Sequence, residues 1–159
     1  MSINYIIGDA TQPVGKGPKI IVHVCNDIGG WGRGFVVALS KRWPEPEHSY
    51  RAWHRGEEVG IPFKLGEVQF VAVDRDLWVA NLIGQRDVRT VGGIPPVRYD
   101  AIRKGLQQVA IEAHRLDASI HMPRIGCGLA GGQWEEVGKI VEQELVNHGV
   151  PVTVYDVAA

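Results

Sequence analysis

The chain has 159 residues with 17 Lys+Arg against 18 Asp+Glu, a formal charge of −1 that excludes the broad basic surface of a non-specific grip on nucleic acid or an anionic membrane. Apolar residues at 45% and charged ones at 22% exclude disorder, and the length suits a single domain over 1–159 that needs neither metal nor disulfide to stand. The departure from ordinary usage is glycine, 20 of 159 residues against a usual ~7%, which places function in specific loops of a folded domain.

In chain order, residues 3–7 form a short β-rich run closed by Gly8-Asp9. Residues 19–25 are a near-continuous apolar run, the pattern of a strand covered on both faces. A glycine cluster spans 29–34; beyond it Phe35, Val36, Leu39 and Trp43 recur at helical spacing until Pro44 stops the pattern. Residues 45–55, with Tyr50 and Trp53 on one side, predict a second helix ended by Gly56. Strands over 66–73 and 77–83 are joined by the tight turn Asp74-Arg75-Asp76. A polar loop, 85–96, leads into the clearest helix, where Tyr99, Ile102, Leu106, Val109 and Ala113 share a face. A strand over 119–125 opens onto a second glycine cluster, 126–132. Then 134–146 carries Val137, Ile140, Val141 and Leu145 at helical spacing, and 152–157 is a last strand. This alternation predicts a three-layer α/β/α sandwich on a mixed, largely parallel sheet, with its antiparallel pair at 66–83.

The N-terminus has no basic stretch followed by a sustained apolar run, and no segment approaches the ~18 apolar residues of a membrane span. Cys25 and Cys127 lie far apart and form no CxxC, so two reduced thiols and a cytoplasmic location are expected. There is no GxxxxGK[ST] and no HExxH, so no metal and no cofactor are expected. Balanced charge and the lack of a basic aromatic stripe weigh against an RNA-binding domain.

Both glycine clusters fall at the carboxyl ends of predicted strands, where open α/β sheets bind ligands, and each leads into a helix. Glycines there let backbone N–H groups approach an anion, and the helix start adds unpaired donors. Either cluster by itself is accounted for by a tight strand-to-helix turn; two at equivalent positions point to a clamp on one diphosphate. Gly126-Cys127-Gly128-Leu129-Ala130-Gly131 has GxG spacing but lies on the wrong strand for a dinucleotide fold.

Ile-Val-His-Val-Cys-Asn (21–26) followed by Gly-Gly-Trp-Gly-Arg-Gly-Phe (29–35) resembles the first ligand loop of the macrodomains, which bind ADP-ribose. Met-Pro-Arg-Ile-Gly-Cys-Gly-Leu (122–129) with Gln133-Trp134-Glu135 resembles their second. The chain is similar to the branch that holds the terminal ADP-ribose protein glycohydrolase and the ADP-ribose-1''-phosphate phosphatase. Asn26 with Trp31-Gly32, and Arg42 followed by Pro44 and Glu47, are like the phosphatase.

The resemblance implies the following roles. Asp9, with Ala10 beside it, meets the adenine amino group, although an Asp in this position also caps a turn. Tyr155 lines the adenine pocket, or packs in the core. Gly32, Arg33, Gly34 and Phe35 approach one phosphate. Gly126, Cys127, Gly128 and Leu129 approach the other, Cys127 acting through its backbone, with Ala130 next to the distal ribose. Asn26 suits a sugar diol or a turn. The candidate catalytic residues are His23, Asn26, Asp27 and Gln85. His23 aligns with a histidine implicated in the phosphatase, yet it sits inside an apolar strand, where a satisfied core histidine is the alternative. Asp27 is a candidate base or a solvated loop aspartate. Where the related glycohydrolase has a lysine and an aspartate, this chain has Gln85 and Ala130, which removes a Schiff-base route. The expectation is a monomeric ADP-ribosyl hydrolase, acting on ADP-ribose linked to protein Asp or Glu side chains or on a 1''-phosphate or acyl ester of ADP-ribose. The alternative is a reader module that binds ADP-ribose or ADP-ribosylated proteins without turnover.

Overall fold

Alternation along β2 (Lys19–Asn26) sends Ile20 and Val22 into one core and Ile21 and Cys25 into another, as an apolar strand in mid-sheet must. The computed structural model describes residues 1–158; Ala159, which ends the expected 1–159 span, lies outside the described residues. The other strands are β1 (Asn4–Ile7), β3 (Val68–Asp74), β4 (Leu77–Gln85), β5 (Ser119–Met122) and β6 (Val152–Asp156). The helices are α1 (Phe35–Arg42), α2 (Glu45–His54), α3 (Tyr99–Leu116) and α4 (Trp134–Glu144), and α4 continues into a 3-10 turn, Val146–His148. One six-stranded sheet has the order β1-β6-β5-β2-β4-β3, every pair parallel except β3–β4.

The fold is the expected three-layer α/β/α sandwich. α3 and α4 cover one face, burying Ile102, Leu106, Val109, Val137, Ile140 and Val141 against Ile20, Val22 and Leu82. α1 and α2 cover the other through Leu39, Tyr50 and Trp53 against Ile21, Val79 and Ile83. Each fully buried Leu, Ile or Val contributes about 1.5–3 kcal/mol. Among the described residues no helix is long and apolar enough to cross a membrane.

Several boundaries differ from expectation for local reasons. β5 ends at Met122 instead of 125 because Pro123 has no N–H for the ladder. β4 runs past Ile83 to Gln85 through an irregularity in its pairing with β2 between Cys25 and Asn26. α4 ends at Glu144, and the 3-10 turn that follows is closed by Gly149 at φ 80°. α1 stops where Trp43 is extended (φ −141°), the conformation a following proline favours.

Candidate functional site

The first loop is wound around one side chain. Asn26 Oδ1 accepts from Ile28 N (3.1 Å), Gly30 N (2.9 Å) and Tyr50 Oη (2.8 Å), while Nδ2 donates to Gly30 O (2.9 Å). Arg51 Nη1 donates to Gly29 O, and the Trp31 indole N–H donates to Ser40 Oγ. Residues 26–31 are therefore fixed, and the chain emerges at exposed Gly32, Arg33 and Gly34 before entering α1. Gly34 takes φ 83°, ψ −146°, which only glycine adopts without strain.

The second loop leaves β5 at Pro123 and folds back on itself. Gly132 N donates to Gly126 O at 2.7 Å, Gly131 N donates to Gly128 O, and Val97 N donates to Ala130 O. A Cβ on Gly132 would sit 2.4 Å from Gly126 O, so this closure requires glycine. The Cys127 thiol donates to Ile125 O (3.3 Å) and burial pushes its pKa up; its backbone N–H donates to Arg124 O (3.3 Å), so the N–H expected to meet a phosphate is already engaged.

β2 and β5 are neighbours and parallel, so the two loops emerge side by side. Between them lies a cleft of about 230 Å3, lined on one wall by Gly34, Phe35 and Val36 and on the other by Gly126, Gly128, Leu129 and Ala130. Among the described residues the N–H groups of Gly34, Phe35, Val36, Gly128, Leu129 and Ala130 have no hydrogen-bond partner. Two rows of free donors across a gap, one at a helix start, form an anion-binding arrangement. The polar side chains in the lining are those of His23, Arg33, Gln85 and Arg124; no carboxylate is among them.

His23 is 2% exposed, with its ring between Trp31 and Phe35. Its Nε2 lies 2.6 Å from Asn81 Oδ1 and is therefore the protonated nitrogen of a neutral ring. Burial pushes its pKa down to about 4, against the raising effect of Asn81. Asn81 Nδ2 donates to Gln69 Oε1 and Pro46 O, and Gln69 Nε2 donates to Ser49 O. His23, Asn81 and Gln69 occupy directly paired positions on β2, β4 and β3, a polar ladder across the sheet that links the cleft wall to α2. Asn81 and Gln69 were missed in the sequence; their one signal is an amide in each of two otherwise apolar strands.

Asp27 accepts Asp87 N at 2.7 Å, which ties loop 85–96 to the first loop, and Gln85 Nε2 donates to Asp87 O within that loop. Asn26 and Asp27 are outside the cleft lining, whereas His23 and Gln85 are within it. Tyr155 is 3% exposed; its hydroxyl accepts Val14 N (2.9 Å) and lies 2.6 Å from His121 Nδ1. Ala10 is buried at 3%. Asp9 is exposed at the rim of a second groove of about 910 Å3 that shares Gly34 with the cleft. Among the described residues no cluster of three or more His, Cys, Asp or Glu is placed to hold a metal ion.

No family model matches the chain. It superposes on a protein of unknown function from Bacteroides thetaiotaomicron with a TM-score of 0.95 at 54% identity, covering 99% of each chain. It superposes on a macrodomain protein from Streptomyces coelicolor with a TM-score of 0.87 at 53% identity, covering 99% of this chain and 100% of that one. Mouse chromodomain-helicase-DNA-binding protein 1-like is 31% identical over 97% of this chain, which spans only 18% of that protein. The ADP-ribose 1''-phosphate phosphatase of Candida albicans is 26% identical over 89% of this chain and 92% of its own length.

Proposed function

The chain belongs to the macrodomain family, and on that premise we propose that it binds ADP-ribose in the cleft between its two glycine loops and hydrolyses an ester at the distal ribose. It is distantly homologous to ADP-ribose hydrolases and phosphatases. The observation that carries the binding is the pair of opposed N–H rows. A pyrophosphate between Gly34–Val36 and Gly128–Ala130 would replace water on both sides with fixed donors and the positive end of α1. The shared Gly34 then directs adenosine into the groove beside Asp9 and the distal ribose toward His23 and Gln85.

Turnover rests on few groups. His23 is neutral at pH 7 and engaged by Asn81, so it shapes the wall and does not shuttle protons. Gln85 is the polar side chain beside the buried Ala130 and orients the water, and a phosphate oxygen of the ligand accepts its proton. Water adds to the acyl carbon or the phosphorus, the ester bond to the ribose oxygen breaks, and the proton taken up by the phosphate passes to that oxygen, so that the ribose leaves as an alcohol. The substrates are ADP-ribose linked to protein Asp or Glu, or a 1''-phosphate or acyl ester of ADP-ribose.

A second reading, a reader without turnover, is favoured by the absence of any carboxylate from the cleft lining. Incubation with glutamate-linked mono-ADP-ribosylated protein and, separately, with ADP-ribose 1''-phosphate decides between them. Release at substoichiometric protein supports the hydrolase. No release at equimolar protein, with ADP-ribose binding intact by calorimetry, supports the reader.

A further inference from the structure

We infer that Arg42, acting through Thr11, is a positioning residue that aims the Asp9 carboxylate and thereby sets the preference for adenine; this rests on the ADP-ribose reading above. Asp9 follows β1, and its Oδ1 is saturated by two donors from one residue, Thr11 N at 2.8 Å and Thr11 Oγ1 at 2.7 Å. The Thr11 hydroxyl gives its single proton to Asp9, so its lone pair is left to accept, and Arg42 Nε donates to it at 2.9 Å. Gln12, with its amide oxygen assigned toward the same guanidinium, accepts from Arg42 Nη1 and Nη2.

Thr11 is 3% exposed, so the middle member of this relay cannot drift. The other carboxylate oxygen, Oδ2, has only Arg42 Nη2 near it, at 3.9 Å, beyond hydrogen-bond reach. One acceptor atom of Asp9 is thus left free, held at one angle on the rim of the groove that Thr11 and Arg42 also line. Arg42 belongs to the last turn of α1, whose first turn forms one wall of the diphosphate cleft. A rigid helix of about 12 Å thereby ties the position of the base reader to that of the phosphate cradle. A carboxylate fixed in this way accepts from an exocyclic amino group and repels a carbonyl oxygen in the same place, which is the difference between adenine and hypoxanthine.

The test measures, by calorimetry, the affinity of ADP-ribose and of its deaminated analogue with hypoxanthine as base. Wild-type protein should prefer the adenine form, and Arg42→Met and Thr11→Val should each shrink that preference on the order of tenfold, the equivalent of one charge-assisted hydrogen bond. Thr11→Ser, which keeps the hydroxyl, should retain it. Lys139→Ala, a cation on α4 away from the groove, should leave the ratio unchanged. Thermal melting checks that each variant is folded. Retention of the full preference in folded Arg42→Met and Thr11→Val overturns the inference, as does an equal loss in Lys139→Ala. Retention in Asp9→Ala overturns it too while leaving ADP-ribose binding in place. Failure of the wild-type protein to bind either nucleotide overturns the ADP-ribose reading itself and the inference with it.

Discussion

Asn26 illustrates how one side chain organises a glycine loop from within it. Its four hydrogen bonds gather Ile28, Gly30 and Tyr50 around it, and the Tyr50 hydroxyl, also within 2.6 Å of Asn26 O, accepts Gly29 N. Asn26→Ala would leave buried donors unpaired, so a loss of about 1–3 kcal/mol is expected in chemical denaturation, together with weaker ADP-ribose binding. An unchanged denaturation midpoint would refute the clasp. Cys127 makes the opposite case. Its thiol is engaged with Ile125 O and held protonated by burial, so Cys127→Ser should change ADP-ribose affinity by less than about threefold, a shift within the worth of a single neutral hydrogen bond. The type of these residues was readable in the chain, but the direction of each side chain was not. An Asn before glycines suits either a sugar or a turn, and nothing in the local sequence shows that Tyr50 on the neighbouring helix α2 would bond its Oδ1.

Elements position what residues cannot. The cleft exists because β2 and β5 are adjacent and parallel although Lys19 and its partner Ser119 are 100 positions apart in the chain, with Ile20–Ile120 next in register. Gly128 lies on the second loop with nothing within 4 Å of where a Cβ would be. Gly128→Val should therefore fold with an unchanged melting temperature while its side chain enters the cleft. An ADP-ribose affinity equal to wild type would count against the clamp. Strands and helices were largely legible because apolar spacing reports burial directly. Their ends were less so: β5 stops at Pro123, and the extension of β4 to Gln85 depends on a pairing irregularity with β2 that has no local signature.

At the scale of the whole molecule, two buried histidines link stability to pH. His23 and His121 each have a pKa of about 4, lowered chiefly by burial and, for His121, also by Lys19. A depressed value means that their contribution is complete above pH 6.5 and is lost as pH falls toward 4, where the unfolded chain takes up protons that the folded one refuses. For His23 this amounts to about 3 kcal/mol. Denaturation midpoints should be flat above pH 7 and fall between pH 6.5 and 4, and His23→Asn should show a shallower fall; an identical slope would remove His23 as the cause. The order of residues alone determined the layered α/β/α class, the two glycine loops at strand ends and the family resemblance, because burial pattern and backbone freedom are local properties written into residue type. Packing alone decided that the two loops face each other, that His23, Asn81 and Gln69 join into one ladder, and that Arg42 reaches Asp9 through Thr11. Those contacts join residues up to about a hundred positions apart, and their geometry comes from strand order and register, which no local spacing encodes.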